Sequence, residues 1–173
     1  GGDVQRTWMP HVGGRSATFR LNNADKRSMI LDLRSPDGQK TLRALLQTAD
    51  ILVENTKPGT LGKFGFSPAD IARINPELIY CGISGFGTRS AYSNRPGFDM
   101  VLQGMSGFMT AVRPDGLPLK SGISTADMMG AQMGLVSILA ALVYRDRTGE
   151  GQYIDLSMQD VACWLTGPVW NTD

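Results

Sequence analysis

One carboxylate in this chain stands where covalent chemistry is feasible. Asp127 directly precedes a long apolar stretch, Met128 to Tyr144, which ends in Arg145-Asp146-Arg147-Thr148-Gly149-Glu150-Gly151-Gln152. An acid at a helix start meets the partial positive charge of the unpaired backbone N–H groups, which predicts that it stays ionised. An ionised carboxylate there serves two ends equally well. It can cap the helix, as the N-cap itself or as the partner three residues after Ser124, or it can attack an electrophilic carbonyl. The residue types leave both open. Arg95 and Lys120 are basic residues on expected loops, with no role that the sequence assigns.

The elements that must position Asp127 read as an α/β chain. Ser28 to Leu33 alternates enough for a strand, and Ser35-Pro36 supplies an N-cap followed by proline at the first helical position. Leu42, Leu45, Leu46 and Ala49 mark the buried face of the helix that follows, which is expected to end near Asp50. Ile51 to Val53 is a short buried strand and Asn55 to Gly59 a turn. Ser67-Pro68-Ala69-Asp70 is a capping box for a short helix that Asn75-Pro76 stops.

Leu78 to Ile83 is a third apolar strand, and Ser84-Gly85-Phe86-Gly87 opens an irregular loop reaching Gly97. A helix is expected over about Phe98 to Met109, then a turn at Pro114-Asp115-Gly116. Gln152 to Ser157 alternates as a strand and Met158 to Leu165 reads as helix. Alternating strands and helices predict a mostly parallel sheet covered by helices. Ligands then belong at the strands' carboxyl ends, in the loops after Leu33, Glu54 and Ser84.

Composition narrows the function classes. A chain of 173 residues, 42% hydrophobic and 19% charged, is long enough for one domain with a real core. Seventeen basic against sixteen acidic residues, with no basic run, argue against nucleic acid as a partner. Cys81 and Cys163 read as buried thiols in a reducing compartment, and His11 is the lone histidine, so no metal site is expected. Met128 to Tyr144 is short for a spanning helix and contains Gly130, Gln132, Gly134 and Ser137, so a core helix rather than a membrane segment is expected. Gly1-Gly2-Asp3-Val4 has no initiator Met or signal peptide, and the chain reads as a piece of something longer.

Four stretches occur in order: Asp25-Lys26-Arg27 through Leu33, ENTKPG at Glu54 to Gly59, INPELIYCGISGFG at Ile74 to Gly87, and RTGEGQYIDLSMQD at Arg147 to Asp160. Together with the spacing around Asp127 they strongly resemble the class III CoA-transferase family (CaiB/BaiF type) over essentially the whole chain. The resemblance implies the central part, residues 1–173, of a Rossmann-like large domain, present as an incomplete fragment without its N-terminal opening and C-terminal portion. It also implies that Asp127 is the nucleophile, forming first a mixed anhydride with the acyl group and then an aspartyl-CoA thioester. Coenzyme A enters as an acyl-CoA substrate, a carboxylate is the acceptor, and no metal takes part.

By residue-to-residue match the resemblance places Leu31, Leu33, Arg34, Asn55, Thr56 and Lys63 against CoA. Arg34 and Lys63 have the chemistry to meet phosphates, although a single cation is equally often a solvated surface charge. The Asn55 amide suits a pantetheine carbonyl, or simply its own turn. Thr56 departs from the aromatic residue usual at its place, which removes a stacking surface. Thr88-Arg89-Ser90-Ala91 and Val112-Arg113-Pro114 also depart from the family pattern.

The same family includes α-methylacyl-CoA racemases, whose His position is held here by Phe98, a residue that exchanges no proton. A non-catalytic CoA-binding fragment is the alternative from another class. The resemblance further implies an interlocked homodimer of the full-length parent, in the cytoplasm and without a membrane partner.

Overall fold

Local chemistry starts two of the helices where the sequence marks them. Ser35 Oγ accepts the Gly38 N–H at 3.1 Å and Pro36 fills the first position of α2 (Pro36–Leu46), whose missing donor costs nothing there. Ser67 and Asp70 form the reciprocal capping box of α3 (Pro68–Ile74). Asn75 ends α3, and its Nδ2 donates to the carbonyls of Leu46 and Ala49, both at 3.0 Å, closing the C-terminal end of α2 as well. The helix therefore stops at Leu46, ahead of the expected Asp50.

The computed structural model describes residues 2–112 and 115–170, in two compact units, Gly1–Leu31 and Asp32–Asp173. The first unit holds a two-stranded antiparallel hairpin, β1 (His11–Val12) with β2 (Arg15–Ser16), followed by α1 (Ala17–Asn22), which Ser16 caps. The second unit is a three-stranded parallel sheet in the order β3 (Ile51–Glu54), β4 (Ile79–Ser84), β5 (Tyr153–Ser157), with helices on both faces. The expected α/β architecture with a parallel sheet and helical crossovers is what forms.

Period two along β4 divides the core. Tyr80 joins Leu46, Phe66, Ile71 and Leu78 beneath α2 and α3, whereas Ile79 and Cys81 point to the other face, against Ile138 and Ala141. Those two belong to α6 (Thr125–Thr148), whose buried residues Ala126, Gly130, Gly134, Ile138 and Ala141 recur at helical spacing. The small residues set the approach. A Cβ on Gly130 would lie 2.8 Å from Cγ of Met158 in α7 (Met158–Trp170), and one on Gly134 3.3 Å from Ile83 Cδ1. Gly149, at φ 75°, ends α6 in the left-handed conformation that glycine accepts freely.

Four expectations need correction. Residues 26–32 form neither strand nor helix, and Ile30 is 97% exposed; alternation makes one face apolar, but a strand also needs a hydrogen-bonded neighbour, and among the described residues none pairs here. The expected helix over Phe98 to Met109 is two, α4 (Asp99–Met105) and α5 (Phe108–Val112), parted at Gly107 by its φ of 76°. Cys163 is exposed rather than buried, because it lies on the outer face of α7. Helix α6, at 24 residues, exceeds the Met128 to Tyr144 reading and is long and apolar enough to cross a membrane by length and composition. One stripe of it packs on β4, β5 and α7, and Leu135, Val136, Leu139 and Val143 remain exposed. Arg113 and Pro114, within the Val112-Arg113-Pro114 departure and, for Pro114, the expected turn, lie outside the described residues.

Candidate active site at the head of helix α6

The site is assembled by a loop that crosses itself at two glycines. After β4 the chain runs through Gly85 to Gly97, where the backbones touch so closely that a Cβ on Gly85 would stand 2.6 Å from Gly97 Cα. Two residues on, Asp99 opens α4 with its side chain buried. The loop is also fastened to β5, since the Thr88 N–H donates to Asp155 Oδ2 at 3.0 Å. Thr88, the first of the residues that depart from the family pattern, is therefore a structural anchor. Arg95 lies over the Tyr92 ring, 4.7 Å from its centre, which accounts for that cation.

Asp99 takes the work expected of Asp127. Its Oδ1 accepts the backbone N–H of Ala126 at 2.8 Å and that of Asp127 at 3.4 Å. Its Oδ2 accepts Gln103 Nε2 at 2.8 Å and lies 3.6 Å from Lys120 Nζ. Ser124 is the N-cap residue of α6, yet its side chain makes no capping bond, and the expected reciprocal pairing with Asp127 does not form. Among the described residues no hydrogen bond or ion pair holds the exposed Asp127 carboxylate.

The electrostatics differ from the sequence expectation. Burial by its surroundings pushes the Asp127 carboxyl up from its ordinary value, the Asp99 charge pushes the same way, and Lys120 opposes both. The helix-start amides that would have held it ionised are spent on Asp99. The result is a carboxylate without a partner among the described residues and with raised proton affinity, relieved of the capping work.

The candidate CoA contacts are scattered over the same unit, apart from Leu31, which belongs to the first unit. Leu33 and Arg34 sit in the turn before α2, where Arg34 Nε pairs with Asp32 Oδ1 at 3.0 Å on the surface. Asn55 and Thr56 follow β3, and the Thr56 N–H donates to Glu54 Oε2 at 2.7 Å. Lys63 is exposed in the single turn Leu61–Phe64 and makes no ion pair among the described residues. Thr56 lines a cavity of about 300 Å³ over one face of the sheet, which reaches the last residues of β3 and β4, Glu54 and Ser84, and takes in Gly59, Tyr80, Tyr153 and Asp155. Its part beside the ends of β3 and β4 is where a parallel sheet places a ligand, although the turn at Leu33 does not reach it and Asp127 does not line it. Phe98, the residue at the racemase histidine position, is 73% exposed ahead of α4.

Sequence reasoning missed Asp99 and Gln103. Their trace was an acid and an amide four residues apart on either side of the apolar run Met100-Val101-Leu102, a spacing that puts both on one helix face.

The family model described as CoA-transferase family III matches residues 1–173. The chain is 40% identical over 169 residues to the succinate–glutarate CoA-transferase of Agrobacterium fabrum, covering 93% of this chain and 42% of that protein. It is 39% identical to the acetyl-CoA:oxalate CoA-transferase of Acetobacter aceti, over 92% of this chain and 41% of that one. The solved structure of a CaiB/BaiF family protein from Brucella suis superposes with a TM-score of 0.88 at 40% identity, over 96% of this chain and 46% of that one. The chain thus spans less than half the length of these relatives.

Proposed function

The chain belongs to CoA-transferase family III, and we propose that the complete protein moves coenzyme A from an acyl-CoA thioester to a carboxylate acceptor, with Asp127 as its nucleophile. The observation that carries this is the unpaired Asp127 carboxylate at a helix start whose amides Asp99 already occupies. In the proposed course the Asp127 oxygen attacks the thioester carbon, the C–S bond breaks, and CoA leaves as thiolate with an aspartyl–acyl anhydride left behind. The thiolate attacks the aspartyl carbonyl and expels the first carboxylate. The acceptor carboxylate then attacks the aspartyl carbonyl, expelling CoA thiolate and leaving an aspartyl–acceptor anhydride, and the thiolate attacks the acceptor's acyl carbon with the Asp127 carboxylate as leaving group. No proton need be gained or lost, and four easier steps replace one hard exchange.

Succinate, glutarate and oxalate in the names of similar enzymes support dicarboxylic substrates here as well. Lys63, exposed and without an ion-pair partner among the described residues, suits a CoA phosphate, and Arg34 keeps donors to spare beyond Asp32. Asn55 would meet the pantetheine arm, and Thr56 stands where an aromatic side chain would stack on CoA. The complete protein acts in the cytoplasm as an interlocked homodimer, a reading that the exposed apolar residues of α6 support. Racemase chemistry is not favoured, since Phe98 carries no exchangeable proton. The test is CoA exchange from succinyl-CoA to glutarate or oxalate, followed by mass spectrometry of the thioesters. Asp127→Asn should abolish exchange while succinyl-CoA binding persists; undiminished exchange in that variant would end the proposal.

A further inference from the structure

We propose that Asp99 and Gln103 are positioning residues for Asp127: from α4 they take over the hydrogen bonding of the α6 N-terminus, leaving the Asp127 carboxylate unpaired and held at a fixed helix start. This rests on the nucleophile reading of Asp127.

A helix start presents backbone donors that something must satisfy. The local candidates are Ser124, whose side chain makes no such bond, and Asp127 itself, which by reaching back would commit its oxygens to the backbone. Asp99 Oδ1 supplies the acceptor instead, for Ala126 N–H at 2.8 Å and Asp127 N–H at 3.4 Å. Gln103, 1% exposed, secures the arrangement from one turn along α4. Its Nε2 donates to Asp99 Oδ2 at 2.8 Å and to the Ile123 carbonyl at 3.2 Å, and its Oε1 accepts the Ser121 N–H at 3.0 Å. One buried amide therefore grips both the capping acid and the segment that leads into α6. Such second contacts fix a reacting group to within the tolerance that productive attack requires.

Asp99 also sets the charge that Asp127 meets. The charged groups facing Asp127 are Asp99 on α4 and Lys120 in the segment before α6, and Asp99 raises the carboxyl's proton affinity while Lys120 lowers it. Position and basicity are thus both transmitted through one side chain.

The test compares Asp99→Asn and Gln103→Leu with the wild-type complete protein in succinyl-CoA to glutarate exchange. Asn keeps an oxygen to cap α6 but loses the charge and the acceptor that Gln103 Nε2 uses; Leu keeps bulk and loses the amide. In both, kcat should fall roughly 10- to 100-fold with the thioester KM within about twofold. In Asp99→Asn alone, the acid limb of kcat should move to lower pH, because removing the anion lowers the Asp127 proton affinity. Wild-type kcat and an unmoved limb in Asp99→Asn would overturn the proposal. So would a loss of kcat that follows the melting temperature with the limb unmoved, the mark of a purely structural residue. Hydroxylamine trapping separates the two ideas: no adduct on wild-type Asp127 defeats the nucleophile reading, whereas equal adduct rates in wild type and Asp99→Asn defeat only the positioning role.

Discussion

The backbone N–H of Asp127 donates to the carboxylate of Asp99 at 3.4 Å, so the helix that bears the candidate nucleophile is capped by a residue 28 positions upstream. Two acids share one helix start and divide its work. The buried one satisfies the backbone, and the exposed one is left with its lone pairs free.

That division has a stability consequence. The folded Asp127 carboxyl binds its proton more tightly than the unfolded one, because of burial first and the Asp99 charge second. Ionising it therefore costs stability as pH rises through the carboxyl range, and the cost is fully present at neutral pH. Asp127→Asn should melt at or above the wild-type temperature at neutral pH, with the gap closing as acid protonates the wild-type group. Melting curves across pH decide this, and a variant less stable than wild type at neutral pH would contradict it.

The glycine crossing that delivers Asp99 should tolerate no side chain. In Gly85→Ala the new Cβ would stand 2.6 Å from Gly97 Cα, a backbone atom that cannot rotate away. A loss of roughly 1–3 kcal/mol is expected, with turnover falling further because Gly97 lies two residues before Asp99. Denaturant unfolding and kcat on the same preparation measure both, and wild-type values would contradict the account.

Tyr80 links the sheet to the cavity at its carboxyl edge. Its hydroxyl donates to Glu54 Oε1 at 3.2 Å, and burial first, then the Glu54 charge, pushes the phenol well above its ordinary value. Of the four tyrosines, one should therefore form phenolate only when alkali unfolds the protein. Tyr80→Phe should remove that late step and cost about 1 kcal/mol. Spectrophotometric titration of both proteins checks the first point, and urea unfolding the second.

Thr56→Phe should restore a stacking surface on an exposed loop beside the cavity. The expected change is a thioester KM lower by a few-fold, on the order of 1 kcal/mol of stacking, with kcat unchanged. Steady-state kinetics with succinyl-CoA measure it, and an unchanged KM would place CoA elsewhere.

What the sequence displayed and what it hid follow one physical division. Ser35-Pro36, Ser67 to Asp70 and Asn75-Pro76 act on backbone groups within a few residues, so the starts of α2 and α3 and the end of α3 could be read directly. The apolar run of β4 was legible because a strand covered on both faces needs no alternation, β3 by its short apolar run, and β5 by alternation. Ser28 to Leu33 misled, since pairing depends on a neighbour that periodicity does not specify. The break at Gly107 was hidden because apolar spacing runs straight across it. At the site, Asp127 stood out by its place before an apolar helix. Asp99 and Gln103 did not, because a cap supplied by another helix is a tertiary contact.

The most direct measurement of the central claim is mass spectrometry of the complete protein incubated with succinyl-CoA and quenched with hydroxylamine. The account predicts a hydroxamate at Asp127, with none in Asp127→Asn. An unmodified Asp127 in a preparation that still exchanges CoA would contradict it.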